Sequence, residues 1–284
     1  MAIDIKNYKK ILYIDLDSLN FVFKNDESLW LYIGGMPVSY KLMHDNFDSK
    51  PIVVSTGPLA GYYPYISKLN LLYLYERQFI EKYAGGSFAG LMNFVGLDSI
   101  VLTGVNKKDV LISINEDTVS IIELESDEFI SEDYDLFLSS SDASIDNYFS
   151  FGKIEDTPMN LRRRIGIKID STKEIDICDY YDYENLYQKL LDSYKDLTVE
   201  PGNNPSCMGC PIGCEFSKKG EDDLNVSVLL RSMICCGYAA NLYKDMPTLY
   251  GCLHALGYNY HHKHLEDLPD LFRMLKQDLS RKLI

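Results

Sequence analysis

Three cysteines fall at C-x2-C-x3-C spacing within Pro205-Ser206-Cys207-Met208-Gly209-Cys210-Pro211-Ile212-Gly213-Cys214, and no other stretch of the chain restricts its fold so tightly. Thiols this close in sequence converge on one point only if the backbone curls around that point. Gly209, Pro211 and Gly213 supply the curl and rule out a regular helix or strand. Soft thiolates gathered in one loop suit an iron-sulfur cluster, which cysteine runs of this kind hold, so Cys207, Cys210 and Cys214 are candidate cluster ligands. Two other readings stay open. A structural zinc site built from four cysteines, or from three cysteines and a histidine, uses similar spacing. A buried loop of reduced cysteines without metal is the third.

The chain has seven cysteines, an odd number, and none precedes Cys178. Such crowding fits a reducing compartment and a metal role better than a disulfide framework. The start, Met1-Ala2-Ile3-Asp4-Ile5-Lys6, lacks the charged and apolar regions of a signal peptide, and no apolar run reaches the ~18 residues that a membrane span needs. A cytoplasmic location without a membrane partner is therefore expected. A formal net charge of −14 argues against nucleic acid as a partner, because a phosphate backbone needs a basic footprint and the one dense basic run is Arg162-Arg163-Arg164. With 284 residues and 46% hydrophobic content, the chain can build one large domain or two smaller ones.

Strand-like runs fill the first half: Ile11 to Leu16, Phe21 to Phe23, Pro51 to Ser55, Ile100 to Gly104, Val110 to Ile114 and Thr118 to Ile122. Asn115-Glu116-Asp117 makes a tight hairpin between the last two. Helical spacing covers Ser28 to His44 and Phe88 to Val95 in this half. Residues 125 to 160 are acidic and Ser-rich and predict loops around one or two short elements, with no chemistry of their own. Beyond them, Tyr183 to Lys195, Val226 to Leu242, Met246 to Leu256 and Leu265 to Leu283 predict helices, and Glu200-Pro201-Gly202-Asn203-Asn204-Pro205 breaks the first before the cysteine loop. The fold class is α+β. A strand-rich domain over residues 1–180 precedes an α-helical region over residues 200–284 that holds the cysteine loop.

Four stretches, in this order, resemble the aldehyde:ferredoxin oxidoreductase family, tungsten- or molybdenum-pterin enzymes with one [4Fe-4S] cluster. Ile11 to Leu16 followed by Leu31-Tyr32-Ile33-Gly34-Gly35 is similar to its opening strand and helix. Pro51 to Ser55 with Thr56-Gly57-Pro58-Leu59-Ala60-Gly61 resembles its strand and G-P-L-[TS]-G turn. Ala84-Gly85-Gly86-Ser87-Phe88 running on to Ile100 resembles its N-S-G-G segment, and Cys207 to Cys214 matches C-x-x-C-P-I-G-C. The resemblance implies an N-terminal domain of two packed antiparallel sheets and a [4Fe-4S] cluster on Cys207, Cys210 and Cys214. It also implies a tungsto- or molybdopterin held at Gly85, Gly86, Ser87 and Phe88, and a ferredoxin-like electron carrier as partner.

The same comparison marks departures. The family's fourth cluster cysteine lies in a C-terminal half with no counterpart here. A fourth ligand must then come from Cys235, Cys236, Cys252, a histidine of His261-His262-Lys263-His264, a small molecule or a second chain that completes the site. Cys235 and Cys236, in an apolar stretch with helical spacing, read better as small buried hydrophobes. The family's asparagine is replaced in Tyr83-Ala84-Gly85-Gly86, its arginine after G-P-L-[TS]-G has no counterpart in Tyr62-Tyr63-Pro64-Tyr65, and its second glycine-rich pterin loop shrinks to Leu161 to Lys168. No carboxylate lies between Asp223 and Asp245, where the family carries acidic residues. Two functions follow as expectations: an iron-sulfur oxidoreductase or electron-transfer module whose pterin site another chain completes, or a non-catalytic paralogue serving as scaffold or electron-transfer subunit.

Overall fold

A computed structural model describes residues 7–131, 133–152, 154, 161–171, 177–222 and 224–284. Two six-stranded sheets dominate the first 170 residues, so the two-sheet expectation holds. The first contains β1 (Lys9–Asp15), β2 (Asn20–Asp26), β3 (Ile52–Ser55), β4 (Leu69–Tyr75), β5 (Gln78–Ala84) and β6 (Ser99–Thr103), in the order β2-β1-β6-β3-β4-β5. The second contains β7 (Asp109–Asn115), β8 (Thr118–Leu124), β9 (Leu136–Leu138), β10 (Ala143–Ile145), β11 (Phe149–Ser150) and β12 (Ile165–Ile169), in the order β11-β10-β9-β12-β7-β8. Each sheet is antiparallel apart from one parallel pair, β1 with β6 and β12 with β7, so both are mixed. The β7–β8 hairpin turns through Glu116-Asp117, as its sequence predicts.

Alternation along the central strands fixes the layers. On one face of the first sheet, Leu12, Ile14, Ile52, Val54, Ile100 and Leu102 share a buried cluster with Ile112 and Ile167 of the second sheet. On the opposite face, Ile11, Val53 and Val101 share a second cluster with helices α1 (Gly35–Asp45) and α8 (His262–Lys282), including Met43, Phe272 and Leu279. A sheet covered on both faces carries apolar residues at successive positions, and all four residues of β3 are accordingly buried. The helices α2 (Phe88–Phe94), α4 (Tyr180–Asp192) and α7 (Met246–Ala255) lie where their spacing predicts. Between β8 and β12, α3 (Ser126–Ser131) and three short strands replace most of the expected loop. No helix among the described residues is long and apolar enough to cross a membrane.

Two predicted helices are broken, each at a residue with left-handed φ. Ser28 to His44 becomes a 3-10 turn, Glu27–Tyr32, and then α1, with Ile33 at φ 65° between them. Val226 to Leu242 becomes α5 (Val228–Met233), a break at Ile234 with φ 62°, and α6 (Ala240–Tyr243) after a 3-10 turn at Gly237–Ala239. The second break has a tertiary cause. Cys235 forms an antiparallel bridge with Ile66, the Lys68 amide donates to the Ile234 carbonyl, and the Cys236 amide donates to the Tyr65 carbonyl. These cross-chain bonds replace helical ones and override a local preference worth only tenths of a kcal/mol per residue.

The end of α5 lies directly on the turn after β3. A methyl group on Gly57 would collide with the Met233 carbonyl, which is backbone and has no side-chain freedom to yield. Gly57→Ala is therefore expected to destabilise the protein by about 1–3 kcal/mol, the usual cost of overpacking a filled interior. Urea denaturation checks this, and an unchanged midpoint would show that the contact is slack.

Candidate metal centre

The cysteine loop curls as its composition demands. Gly209 and Gly213 take φ values of 72° and 55°, and the Cys210 amide donates to the Cys207 carbonyl. The loop also closes on itself, with Gly202 N–H donating to the Ile212 carbonyl and Asn204 N–H to the Gly213 carbonyl. It docks onto the first sheet through the Met208 amide, which donates to the Gly86 carbonyl at 3.1 Å. Cys207, Cys210 and Cys214 then line one cavity, together with Cys236, Lys68 and the apolar side chains of Leu197, Val199, Ile212 and Phe216. Phe216 stacks on Tyr238 at its rim, ring centroids 4.7 Å apart. Among the described residues, no three or more His, Cys, Asp or Glu side chains meet as the shell of a single metal ion.

Cys236 reaches the cavity because the helix breaks. After the left-handed turn at Ile234 the chain is extended, and successive side chains in extended backbone point to opposite faces. Cys235 is fully buried, and its thiol donates to the Cys236 carbonyl at 3.4 Å. Cys236 points the other way. The vicinal pair, expected as two buried hydrophobes on one helix, is therefore split. The signal available in sequence was the doubled cysteine itself, but its apolar neighbours carried helical spacing and hid the bridge to Ile66.

The electrostatics set thiols against one cation. Burial pushes the Cys210 thiol up to about 12, and the neighbouring Cys207, Cys236 and Cys214 sulfurs add to the effect. Burial likewise raises Cys236 to about 11, with the Lys68 ammonium offsetting part of the rise. Lys68 is 4% exposed and is the one charged side chain in the cavity lining; its Nζ sits 2.7 Å from Glu221 Oε1. Burial works against its charge, but Cys236, Glu221 and Cys207 outweigh that, and its pKa is raised. Glu221 is itself anchored by a pair of backbone hydrogen bonds with Tyr83 at the end of β5.

The other sequence candidates are employed elsewhere. Cys252 is buried against Tyr63, and Cys178 is exposed beside Gly257. His261 and His264 form a reciprocal capping box at the start of α8. Arg164 pairs with buried Asp109 at 2.5 Å, while the amides of Arg162 and Arg163 donate to Asn106, so that run braces the second sheet. Tyr63 and Tyr73 are buried in the core, and Tyr65, also buried, contributes to the cavity lining.

Gly85, Gly86, Ser87 and Phe88 are engaged by the protein itself. A methyl on Gly85 would collide with Cys207 Sγ, and one on Gly86 would meet Ile145 Cγ2 at 2.5 Å. The Asp146 carboxylate accepts from the Ser87 amide at 2.9 Å and from its hydroxyl at 2.6 Å, taking the amide a phosphate would need. Phe88 is fully buried. The glycines thus make room for the cysteine loop and the second sheet, and this segment as it stands does not fit a pterin.

Two mixed sheets followed by helices, with a thiol-lined cavity where they meet, define an α+β protein. Residues 11–132 match the family model described as aldehyde ferredoxin oxidoreductase, N-terminal domain. A solved chain described as "Active site complex BamBC of Benzoyl Coenzyme A reductase in complex with 1,5 Dienoyl-CoA" has a similar fold, with a TM-score of 0.55 and 11% identity over 96% of this chain. This chain spans 64% of that one's length.

The raised thiol pKa values give the metal-free protein a pH signature. Thiols of the unfolded chain ionise near ~8.5, whereas those of the folded cavity resist ionisation to about 11–12. A group protonated more tightly in the folded state contributes stability below its unfolded pKa and loses it as pH rises. Chelator-treated protein should therefore lose stability between pH 8 and about 9.5, a window below most tyrosine ionisation, and Cys210→Ala should flatten the loss. Denaturation midpoints across that range test this; a flat profile would mean that the thiols are not buried in solution.

Proposed function

We propose that this chain is an iron-sulfur electron-transfer protein on the aldehyde ferredoxin oxidoreductase fold, holding a [4Fe-4S] cluster through Cys207, Cys210 and Cys214. The observation that carries the reading is the shared cavity, in which the three loop thiols face one enclosed space with a buried cation beside them. A tetrahedral zinc would draw its sulfurs to ~2.3 Å of one point, and among the described residues no three or more His, Cys, Asp or Glu side chains meet that way. Cluster chemistry is one-electron transfer, at a potential set by charge, hydrogen bonds and solvent exposure.

The chain's own residues provide for that role. Ile212, Leu197, Val199 and the Phe216–Tyr238 stack limit water at the cavity, and Lys68 opposes the negative charge of thiolates. Residues 200–206 are exposed next to the cavity, so a ferredoxin-like carrier can approach closely. All seven cysteines are free, as a cytoplasmic setting requires. Pterin chemistry is assigned no step, because Gly85 to Phe88 are occupied by internal contacts. A second reading, as one subunit of a larger oxidoreductase, is favoured by the solved structure of similar fold, which is described as a complex, and by the 64% span. There a partner chain would supply the remaining site.

Elemental analysis of anaerobically purified protein tests the proposal: iron at about four per chain is expected, with neither tungsten nor molybdenum. Zinc alone would overturn it. Tungsten or molybdenum arriving with a co-purified chain would move the assignment to the subunit reading. Cys210→Ser should lose most of the iron and the charge-transfer absorption. Lys68→Met should lower the cluster's reduction potential by on the order of tens of millivolts, because the added electron loses a nearby positive charge and Glu221 is left unopposed; Lys68→Arg should hold it.

A further inference from the structure

The cluster reading leaves one ligand unassigned, and the cavity supplies it. We propose that Cys236 is the fourth ligand, so that this chain closes the cluster's shell from its own residues. The inference rests on the iron-sulfur assignment and would fall with it.

Of the four cysteines outside the loop, only Cys236 lines the cavity, and none of the five histidines does. Its presence there is built. The left-handed turn at Ile234 ends α5, the Ile66–Cys235 bridge fixes the register, and the Cys236 amide is held by the Tyr65 carbonyl at 3.4 Å. The Ala239 amide donates to the Cys236 carbonyl and secures the following turn at 3.0 Å. Every backbone anchor around Cys236 therefore belongs to ordered structure, as a ligand held in a fixed position requires. Its neighbour cannot substitute, because reversing the two cysteines would require slipping the bridge by one residue.

One positive charge stands beside the site. Lys68, on the strand-like segment that pairs with Ile234, carries its ammonium beside both Cys236 and Cys207 while Glu221 keeps it charged. On binding, each thiol releases its proton to solvent and its sulfur bonds to iron, so four protons leave as four Fe–S bonds form.

The test uses the full chain, reconstituted anaerobically with iron and sulfide. Cys236→Ser is expected to fall from about four irons per chain to three or fewer, with the EPR signal of a three-iron cluster on oxidation, while Cys235→Ser keeps wild-type iron and spectrum. Wild-type iron and spectrum in Cys236→Ser would overturn the inference and leave the loop assignment standing. No cluster in the wild type would overturn both. Because Cys236→Ser can also fail by misfolding, alkylation of the wild-type protein provides an independent measure. Mass spectrometry should find Cys207, Cys210, Cys214 and Cys236 protected in the cluster-loaded protein, and at least tenfold more reactive after chelation. If Cys236 alkylates equally fast in both states, it is not a ligand.

Discussion

The approach of the C-terminal segments to bare backbone just after β3 and β5 and within α2 governs how this molecule is put together. The end of α5 rests on Gly57, Cys207 on Gly85 and Met208 on Gly90, and in each case a single methyl group would push the partner away. Interiors at crystal-like density transmit such displacements and do not absorb them. The position of the cysteine loop is consequently set by the sheet beneath it. The Met208–Gly86 hydrogen bond and the Tyr83–Glu221 pair fasten the loop on two sides, and the Ile66–Cys235 bridge brings the opposite wall of the cavity to meet it.

Much of this was legible in sequence because the signals were local. The strands from Ile11 to Ile122 carry β-branched runs, the β7–β8 hairpin has its turn, and the glycines around Cys210 announce a curled loop. The motif order pointed to the same family domain that residues 11–132 match. The strand β4 is hard to read because Leu69 to Tyr75 is apolar but for Asn70 and lacks the alternation that distinguishes a strand from a buried helix. The break at Ile234 was invisible for a different reason: its cause lies at Tyr65 to Lys68, more than 160 residues earlier, and no local pattern encodes a bridge to that segment. The place of Cys236 was lost with it. Glycines whose motif suggested ligand binding turned out to accommodate the chain's own sulfur and side chains, a distinction that spacing alone does not carry.

A buried lysine paired with a partly exposed glutamate would be a poor investment in stability, since desolvation offsets most of the attraction. The Lys68–Glu221 pair makes better sense as a fixed field. It places positive charge beside sulfurs that otherwise resist ionisation, on a chain whose overall charge of −14 works in the opposite direction. The local field at the cavity is thereby uncoupled from the sign of the surface.

The loop's habit of bonding to itself has a consequence for the cavity. Gly202 pairs with Ile212 and Asn204 with Gly213, so the segment is a compact Ω-shaped unit fastened to the rest of the molecule at few points. A group bound in the cavity would thus be enclosed by one self-bonded segment of the chain and not by the sheets themselves.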